Sequence, residues 1–372
     1  MKILHICRNL AGSTVFPQLF ETLSEFCDQT VFVPEVTEEN RGKNEPNGIM
    51  TYYRRTLRKT DTLFFSRKAA RTLPVLMETV NPLQFDMVHA HTLFTDGSIA
   101  LALHQRTGIP FVVTLRYSDV AAIWRYEWHL HPLARRILRA ASGVVCLSPV
   151  VREQVIGWMR SEERDGFSRK TVVIPNGIRE AWLDGKPREA PHSPLRVGFA
   201  GVLNARKQPL QALLAVHKCR DGGTPAVFLG VGRGPLEGKL RAALKEGDAF
   251  LGRAEGMQAM KEFYGKVDLL LVPSRAETFG MVYLEAMSQG LPVIYTKGQG
   301  FDGQFPEGEV GFRVPCGDIS AQADAISRIE REYGRLSANA CRHAEELSWK
   351  NVGKKWHRFY ERALKGDGAW TD

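Results

Sequence analysis

Short apolar runs that end in turn residues alternate along the chain with longer segments of helical period, the pattern of repeated β-α units on a parallel sheet. The first half offers "KILHI", "TVFVP", "DMVHAH", "PFVVTL", "GVVCLS" and "TVVIP" as strands; the second offers "LRVGFAG", "AVFLGVG", "AFLG", "VDLLLVP", "PVIYT" and "GFRVP". Between the halves, residues 179–194 carry charge and proline without apolar periodicity and read as a linker. The pattern predicts an α/β chain with one domain over 1–178, a second over 195–345 and a helical tail over 346–372. Trp349, Trp356, Phe359 and Tyr360 stand at helical spacing in that tail, which is expected to cross back to the first domain. Two Rossmann-like domains facing each other across a central cleft are the natural architecture.

In such sheets ligands sit at the carboxyl ends of strands, where loops lead into helix N-termini that favour phosphate. That selects "HAHTLFTDG", "LRYSD", "GVLNARK", "GVGRG", "LGRAEG" and "ETFGMVYLE". In the last, Glu277 and Glu285 lie eight residues apart. If "VDLLLVP" is a buried strand, Glu277 falls in the loop after it, Thr278 caps a helix running to Gly290, and Glu285 lies about one turn into that helix. Two carboxylates so split can bracket an elongated polar ligand, each accepting from paired hydroxyls. Backbone N–H groups at Phe279, Gly280 and Met281 would face a phosphate, Gly280 allowing close approach.

Composition narrows the partners. The formal charge of +9, from 50 Lys and Arg against 41 Asp and Glu, favours an anionic partner, though nothing points to nucleic acid. The densest basic segment, residues 54–71, sets Arg54, Arg55, Arg58, Lys59, Arg67, Lys68 and Arg71 against Asp61 alone, with Leu57, Leu63, Phe64 and Phe65 interleaved. It suits an amphipathic element on an anionic bilayer or on an anionic substrate, and equally a solvated helix with its apolar side on the core. The six scattered cysteines form no C-x-x-C pair, so neither a zinc site nor a disulfide framework is expected; they read as small buried hydrophobes in a reducing cytosol. No secretory leader or spanning segment is expected.

The run "VPSRAETFGMVYLEAMSQGLPVI" resembles the donor-site signature of retaining GT-B glycosyltransferases of family 4, where E-x7-E follows a P-S turn. "DMVHAH" with "TDG", "TLRYSD", "VVIPNGI", "VGFAGVLNARK", "FLGVGRGPL" and "FYGKVDLLLVPS" follow the family order, from Met1 to about Asp318. The resemblance implies that Glu277 binds donor-sugar hydroxyls and Glu285 the nucleotide ribose. It implies that Lys207, with Arg206, neutralises the diphosphate without a metal; the chain contains no D-x-D. Gly252 and Arg253 fall where the family holds the base, Gly12 and Gly201 at its phosphate loops, and His91 at its active-site histidine. His89 exchanges roles with His91 if the strand register differs. Arg116 and Asp119 are acceptor-side candidates, Asp119 equally a loop cap. Three departures stand out: Val202 follows Gly201 where many members have arginine, Gly12 lacks a neighbouring glycine, and Arg233 replaces a common acidic residue.

The implied activity is metal-independent transfer of a sugar, with retention, from a nucleotide-diphosphate sugar, uridine diphosphate first, to a hydroxyl on a cell-envelope glycan or lipid-linked saccharide. No cofactor is expected. The site of action would be cytoplasmic, at the inner face of the cell membrane. The rivals are an epimerase or hydrolase of the same fold, and a non-catalytic nucleotide-sugar or polyanion binder.

Overall fold

Parallel strands covered on both faces need apolar side chains at nearly every position, and the runs in the sequence become strands for that reason. The computed structural model describes residues 1–37, 42–58, 60, 64–116, 119–120 and 128–366. The chain divides into two units, one comprising Met1–Gly177 with Trp349–Asp372 and the other Ile178–Ser348.

The first unit holds seven parallel strands: β1 (Lys2–Ile6), β2 (Asp28–Glu35), β3 (Met50–Arg55), β4 (Met87–Ala90), β5 (Phe111–Leu115), β6 (Gly143–Cys146) and β7 (Thr171–Val173). Their order is β3-β2-β1-β4-β5-β6-β7. One face packs on helices Phe65–Thr79, Thr95–Thr107 and His131–Ala140 through Phe32, Val88, Phe111 and Ile137. The opposite face buries Val31, Met87 and Val112 under helix Val15–Leu23 and the final helix Trp349–Lys365. Trp349, Trp356, Phe359 and Tyr360 all point into that layer.

The second unit holds six parallel strands: β8 (Leu195–Val202), β9 (Ala226–Arg233), β10 (Ala249–Phe250), β11 (Leu269–Leu271), β12 (Val293–Thr296) and β13 (Gly311–Val314), in the order β10-β9-β8-β11-β12-β13. The strands β8 and β9 approach so closely that a Cβ on Gly232, at φ +146°, would stand 1.9 Å from the Gly201 carbonyl oxygen.

Four expectations change. The sequence reading places no strand at β3, an edge strand whose half-exposed residues break the apolar run and whose end carries Arg54 and Arg55. Residues 54–71 are therefore not one amphipathic element but the end of β3, a connection and the start of helix Phe65–Thr79. Lys68 turns inward, its Nζ 4.2 Å from the Phe65 ring centre, and Arg71 donates to the Thr56 carbonyl. Lys59, Asp61 and Leu63 of that segment lie outside the described residues, as do Tyr117 and Ser118 of "LRYSD" and residues 367–372. Residues 179–194, read as a linker, are fastened to the second unit: Arg188 donates to the carbonyls of Val267, Tyr264 and Gln289, and Trp182 is buried. Of the cysteines, Cys7, Cys27, Cys146 and Cys219 are buried, whereas Cys316 is exposed and Cys341 half-buried.

Candidate active site

Each sheet reverses its strand order once, between β1 and β4 in the first unit and between β8 and β11 in the second. At such a point the loops from two neighbouring strands run in opposite directions and leave a crevice at the carboxyl edge. Gly12 and His91 lie on the loops after β1 and β4, and Arg206, Lys207 and Glu277 on those after β8 and β11, whereas Arg233, Gly252 and Arg253 lie at the ends of β9 and β10.

In the second unit the loop after β8 is shaped by Asn204, whose Oδ1 accepts from the backbone N–H groups of Arg206 and Lys207 at 3.1 and 3.0 Å. This side-chain turn replaces a glycine-rich one. Gln208 then takes a left-handed conformation, φ 55°, rare for a residue with a Cβ, and starts helix Pro209–Asp221. The result carries the Lys207 ammonium to the loop after β11, where it pairs with Glu277 Oε2. Ser274 Oγ donates to the same oxygen at 3.3 Å, and the Thr278 amide donates to Oε1 at 3.2 Å. The Gln299 side chain accepts from the Glu277 N–H, and the Arg275 N–H donates to the Arg206 carbonyl. Neither charge is fully buried; the side chains are 12% and 11% exposed, so a ligand can reach the pair. Arg206 itself is exposed.

The helix that follows Glu277 is Met281–Ser288, capped by Gly280 rather than Thr278. The reason is backbone geometry. The chain enters the helix at φ +85°, and a Cβ on Gly280 would lie 2.4 Å from the Tyr283 ring. Phe279 is buried against Phe301, so only its backbone can serve a ligand. The first-turn amides of this helix, beginning at Met281, have no carbonyl four residues back and point out of its N-terminus.

Glu285 sits on the fifth residue of that helix beside Tyr264, whose hydroxyl donates to its Oε2 at 3.3 Å. Burial pushes its carboxyl up to about 7, against the smaller opposing effects of Tyr264 and Arg179. After β10, Gly252 accepts from the Gly232 N–H at 2.8 Å, and exposed Arg253 pairs with Glu255. Gly201, one residue before the end of β8, stands beside the Lys207 stem. Arg233 is exposed at the end of β9.

The first unit's switch point gathers three buried histidines, with Arg116, Asp96 and Asp119 close by. His91 follows β4, and its Nε2 lies 3.0 Å from His5 Nδ1 on β1. His89 reaches Tyr360 Oη through Nδ1 and Thr114 Oγ1 through Nε2, both at 2.7 Å. All three rings are fully buried, His91 beneath Phe16 and Phe20. Burial drives His5 down to about 3 and holds His89 and His91 well below the ordinary imidazole range, helped by their mutual proximity and by Arg116. One nitrogen from each ring could in principle meet on a metal ion, the sole such group among the described residues. Four of the six ring nitrogens are already engaged in hydrogen bonds, however, and both on His89 are.

Arg116 Nε donates to the His91 carbonyl at 3.2 Å, and its guanidinium lies over the Phe16 ring. Asp119 accepts from the N–H groups of Leu93 and Arg116, tying the loops after β4 and β5, and burial raises its carboxyl to about 6. That is the loop-capping role. Buried Asp96 accepts from the Arg8 N–H across β1 and β4, and burial raises it to about 7. Gly12 has open space where a Cβ would stand.

Sequence reasoning missed His5, Tyr264, Asn204, Gln208 and Gln299. Asn204 was legible as a turn former two and three residues before the Arg206–Lys207 pair. The others matter through neighbours distant in sequence.

Residues 15–182 match Glycosyltransferase Family 4, and residues 194–332 match Glycosyl transferases group 1. The chain is 28% identical over 295 residues to a phosphatidyl-myo-inositol mannosyltransferase of Mycobacterium leprae, covering 74% of this chain and 73% of that protein. It is 27% identical over 256 residues to a putative teichuronic acid biosynthesis glycosyltransferase, TuaC, of Bacillus subtilis, covering 66% and 62%. Among solved structures, Anabaena HepE in complex with UDP superposes with a TM-score of 0.71 at 18% identity, over 97% of this chain and all of that one.

Proposed function

The chain belongs to glycosyltransferase family 4 and has the GT-B fold, and on that premise we propose that it moves a sugar from a nucleoside-diphosphate sugar to an acceptor hydroxyl, with retention and without a metal. The observation that carries this reading is the Lys207–Glu277 pair at the β8/β11 switch point, beside a helix N-terminus and ahead of half-buried Glu285. The diphosphate takes the place of Glu277 as partner of Lys207, with Arg206 and the first-turn amides sharing its charge. Released from the ammonium, Glu277 accepts from sugar hydroxyls, and Glu285 accepts from the ribose. The bound cations stabilise charge as it develops on the departing phosphate, the work a metal does elsewhere. With the leaving phosphate taking the acceptor proton on the same face, the configuration is retained. His91 contacts a sugar hydroxyl, and Arg253 lies at the base.

The acceptor is a cell-envelope glycan or lipid-linked saccharide, in keeping with the names of the mannosyltransferase and TuaC. A surface on the first unit supports attachment to an anionic membrane. Phe64 and Trp128 are 54% and 77% exposed. A cavity of about 400 Å³ opens between Phe64, Arg67, Leu133 and Arg136. Apolar side chains ringed by arginine suit a leaflet rich in acidic lipid. No described helix is long and apolar enough to cross a membrane.

Calorimetric titration of UDP, GDP, ADP and their hexose conjugates, in EDTA, tests the reading. One nucleotide series should bind selectively without metal. No binding in any series would leave a non-catalytic polyanion binder.

A further inference from the structure

Both chain neighbours of Lys207 are tied to one residue of the loop after β11. The Arg206 carbonyl, just before it, accepts from the Arg275 backbone N–H at 2.8 Å. Gln208, just after it, reaches the same residue with its side chain: one end of its amide lies 2.8 Å from Arg275 Nε and 3.1 Å from Gln211 Nε2, and the other end 2.6 Å from the Pro273 carbonyl oxygen. The partners decide which end is which. A guanidinium nitrogen can only donate and a carbonyl can only accept, so the amide oxygen faces Arg275 and the amide nitrogen faces Pro273. Cys316 Sγ, 3.7 Å from the nitrogen end, accepts as readily as it donates. Turned the other way, donor would face donor and acceptor face acceptor in a side chain that is buried, a fault on both ends.

The backbone at Gln208 points the same way. Its φ of 55° and ψ of 49° lie in the left-handed region that a Cβ disfavours, shared among the described non-glycine residues by Asn44. Such a conformation persists where its surroundings over-determine it. Glycine would adopt it freely, yet glycine has no amide to carry across to Pro273 and Arg275. Arg275 in turn stands two residues before Glu277, whose own N–H is held by the Gln299 side chain at 3.1 Å. The Lys207–Glu277 ion pair therefore joins two loops that Gln208 and Arg275 have already set in place.

We propose that Gln208 and Arg275 are positioning residues that lock the Lys207 loop to the Glu277 loop, so that the ammonium stays aimed at one place when a ligand takes Glu277 from it. The clamp stands on the geometry; its effect on turnover rests on the transferase reading. Without the amide bridge, a ligand that breaks the ion pair leaves Lys207 steadied from one side instead of two. A displaced cation stabilises the charge on a departing phosphate less well, and the loss appears in kcat.

Three variants of the full chain separate side chain from backbone. Gln208→Gly keeps the left-handed turn and removes the amide; Gln208→Asn also tolerates that turn but carries an amide one methylene short; Arg275→Met removes the guanidinium. Each should lower kcat at saturating donor about tenfold. Gln208→Gly combined with Arg275→Met should lose no more than either alone, because both remove the same bridge. In protein labelled with 15N-arginine, the Arg275 Nε–H should exchange with water about tenfold faster in Gln208→Gly than in wild type. Full turnover in Gln208→Gly and Gln208→Asn would mean that the left-handed backbone alone matters. Losses that multiply to about a hundredfold in the double variant would mean two independent contributions, and an Arg275 Nε–H indifferent to Gln208→Gly would mean no bridge. Any of these overturns the proposal. The exchange measurement needs no substrate, so it decides the clamp whether or not wild type transfers a sugar, and the clamp can fail while transfer stands.

Discussion

The two units place their chemistry at the same topological position and fill it with opposite materials. At the β8/β11 point an ammonium and a carboxylate face each other, partly open to solvent, next to a helix N-terminus. At the β1/β4 point three neutral imidazoles sealed by aromatic rings contact one another, and the charged groups beside them, Arg116, Asp96 and Asp119, are buried and tied to the loop backbone. A dianionic phosphate needs the first kind of place, where a cation waits and burial is incomplete enough for exchange. A sugar hydroxyl needs the second, where low polarity makes one well-placed acceptor count. On the proposed reading the shared fold supplies crevices, and the charge of the residues in them separates the phosphate from the sugar.

The comparison breaks most readily at Lys207. Lys207→Ala should cut turnover about 10²–10³-fold, the typical loss when one group stabilising transition-state charge is removed, measured at saturating donor. It also leaves Glu277 without its cationic partner, so a Glu277→Gln background separates the two effects. An equal loss from Gly12→Ala, at a position with open space in the first unit, would erase the distinction between the two crevices.

Glu285→Ala should weaken nucleotide affinity about 10–100-fold, the worth of a hydrogen bond to a charged group. The sign of the pH dependence follows from its carboxyl, raised by burial to about 7. Ribose hydroxyls donate to the ionised form, so affinity should fall roughly tenfold as pH drops from 8 to 6. Glu285→Gln should flatten that slope. The same shift acts on folding in the other direction. The folded chain keeps a proton that the unfolded chain loses from about 4.5 upward, so Glu285 lowers stability as pH rises toward 7.

Within the neutral crevice the expected effect is structural. Tyr360→Phe strands His89 Nδ1 in a buried layer and should cost about 1–3 kcal/mol in denaturant unfolding, with nucleotide affinity unchanged. Smallest is the surface effect: removing Arg67 should weaken binding to vesicles rich in acidic lipid by about 1 kcal/mol, with Phe64→Ala adding to it and neither altering donor binding.

How much of this was legible follows from how local each feature is. Twelve strands announced themselves as buried apolar runs, whereas β3 hid because an edge strand with half-exposed Tyr52 and terminal arginines reads like a basic loop. The carboxylate pair stood out through its flanking motif, but the cap was misassigned to Thr278, since a side-chain cap and a left-handed Gly280 leave similar traces in sequence. Residues 179–194 looked loose because Arg188 finds its three carbonyls about 76 to 101 positions away. His5 carried no signal: its contact with His91 depends on the register of β1 against β4.

The most direct measurement is titration of the cognate nucleotide sugar, without metal, against wild type, Lys207→Ala, Glu285→Ala and His91→Asn. If the β8/β11 point holds the nucleotide, affinity falls sharply in the first two variants and survives in the third, whose damage appears in kcat. Binding that ignores Lys207 and Glu285, or that disappears only with His91, would contradict the assignment of the donor to the second unit.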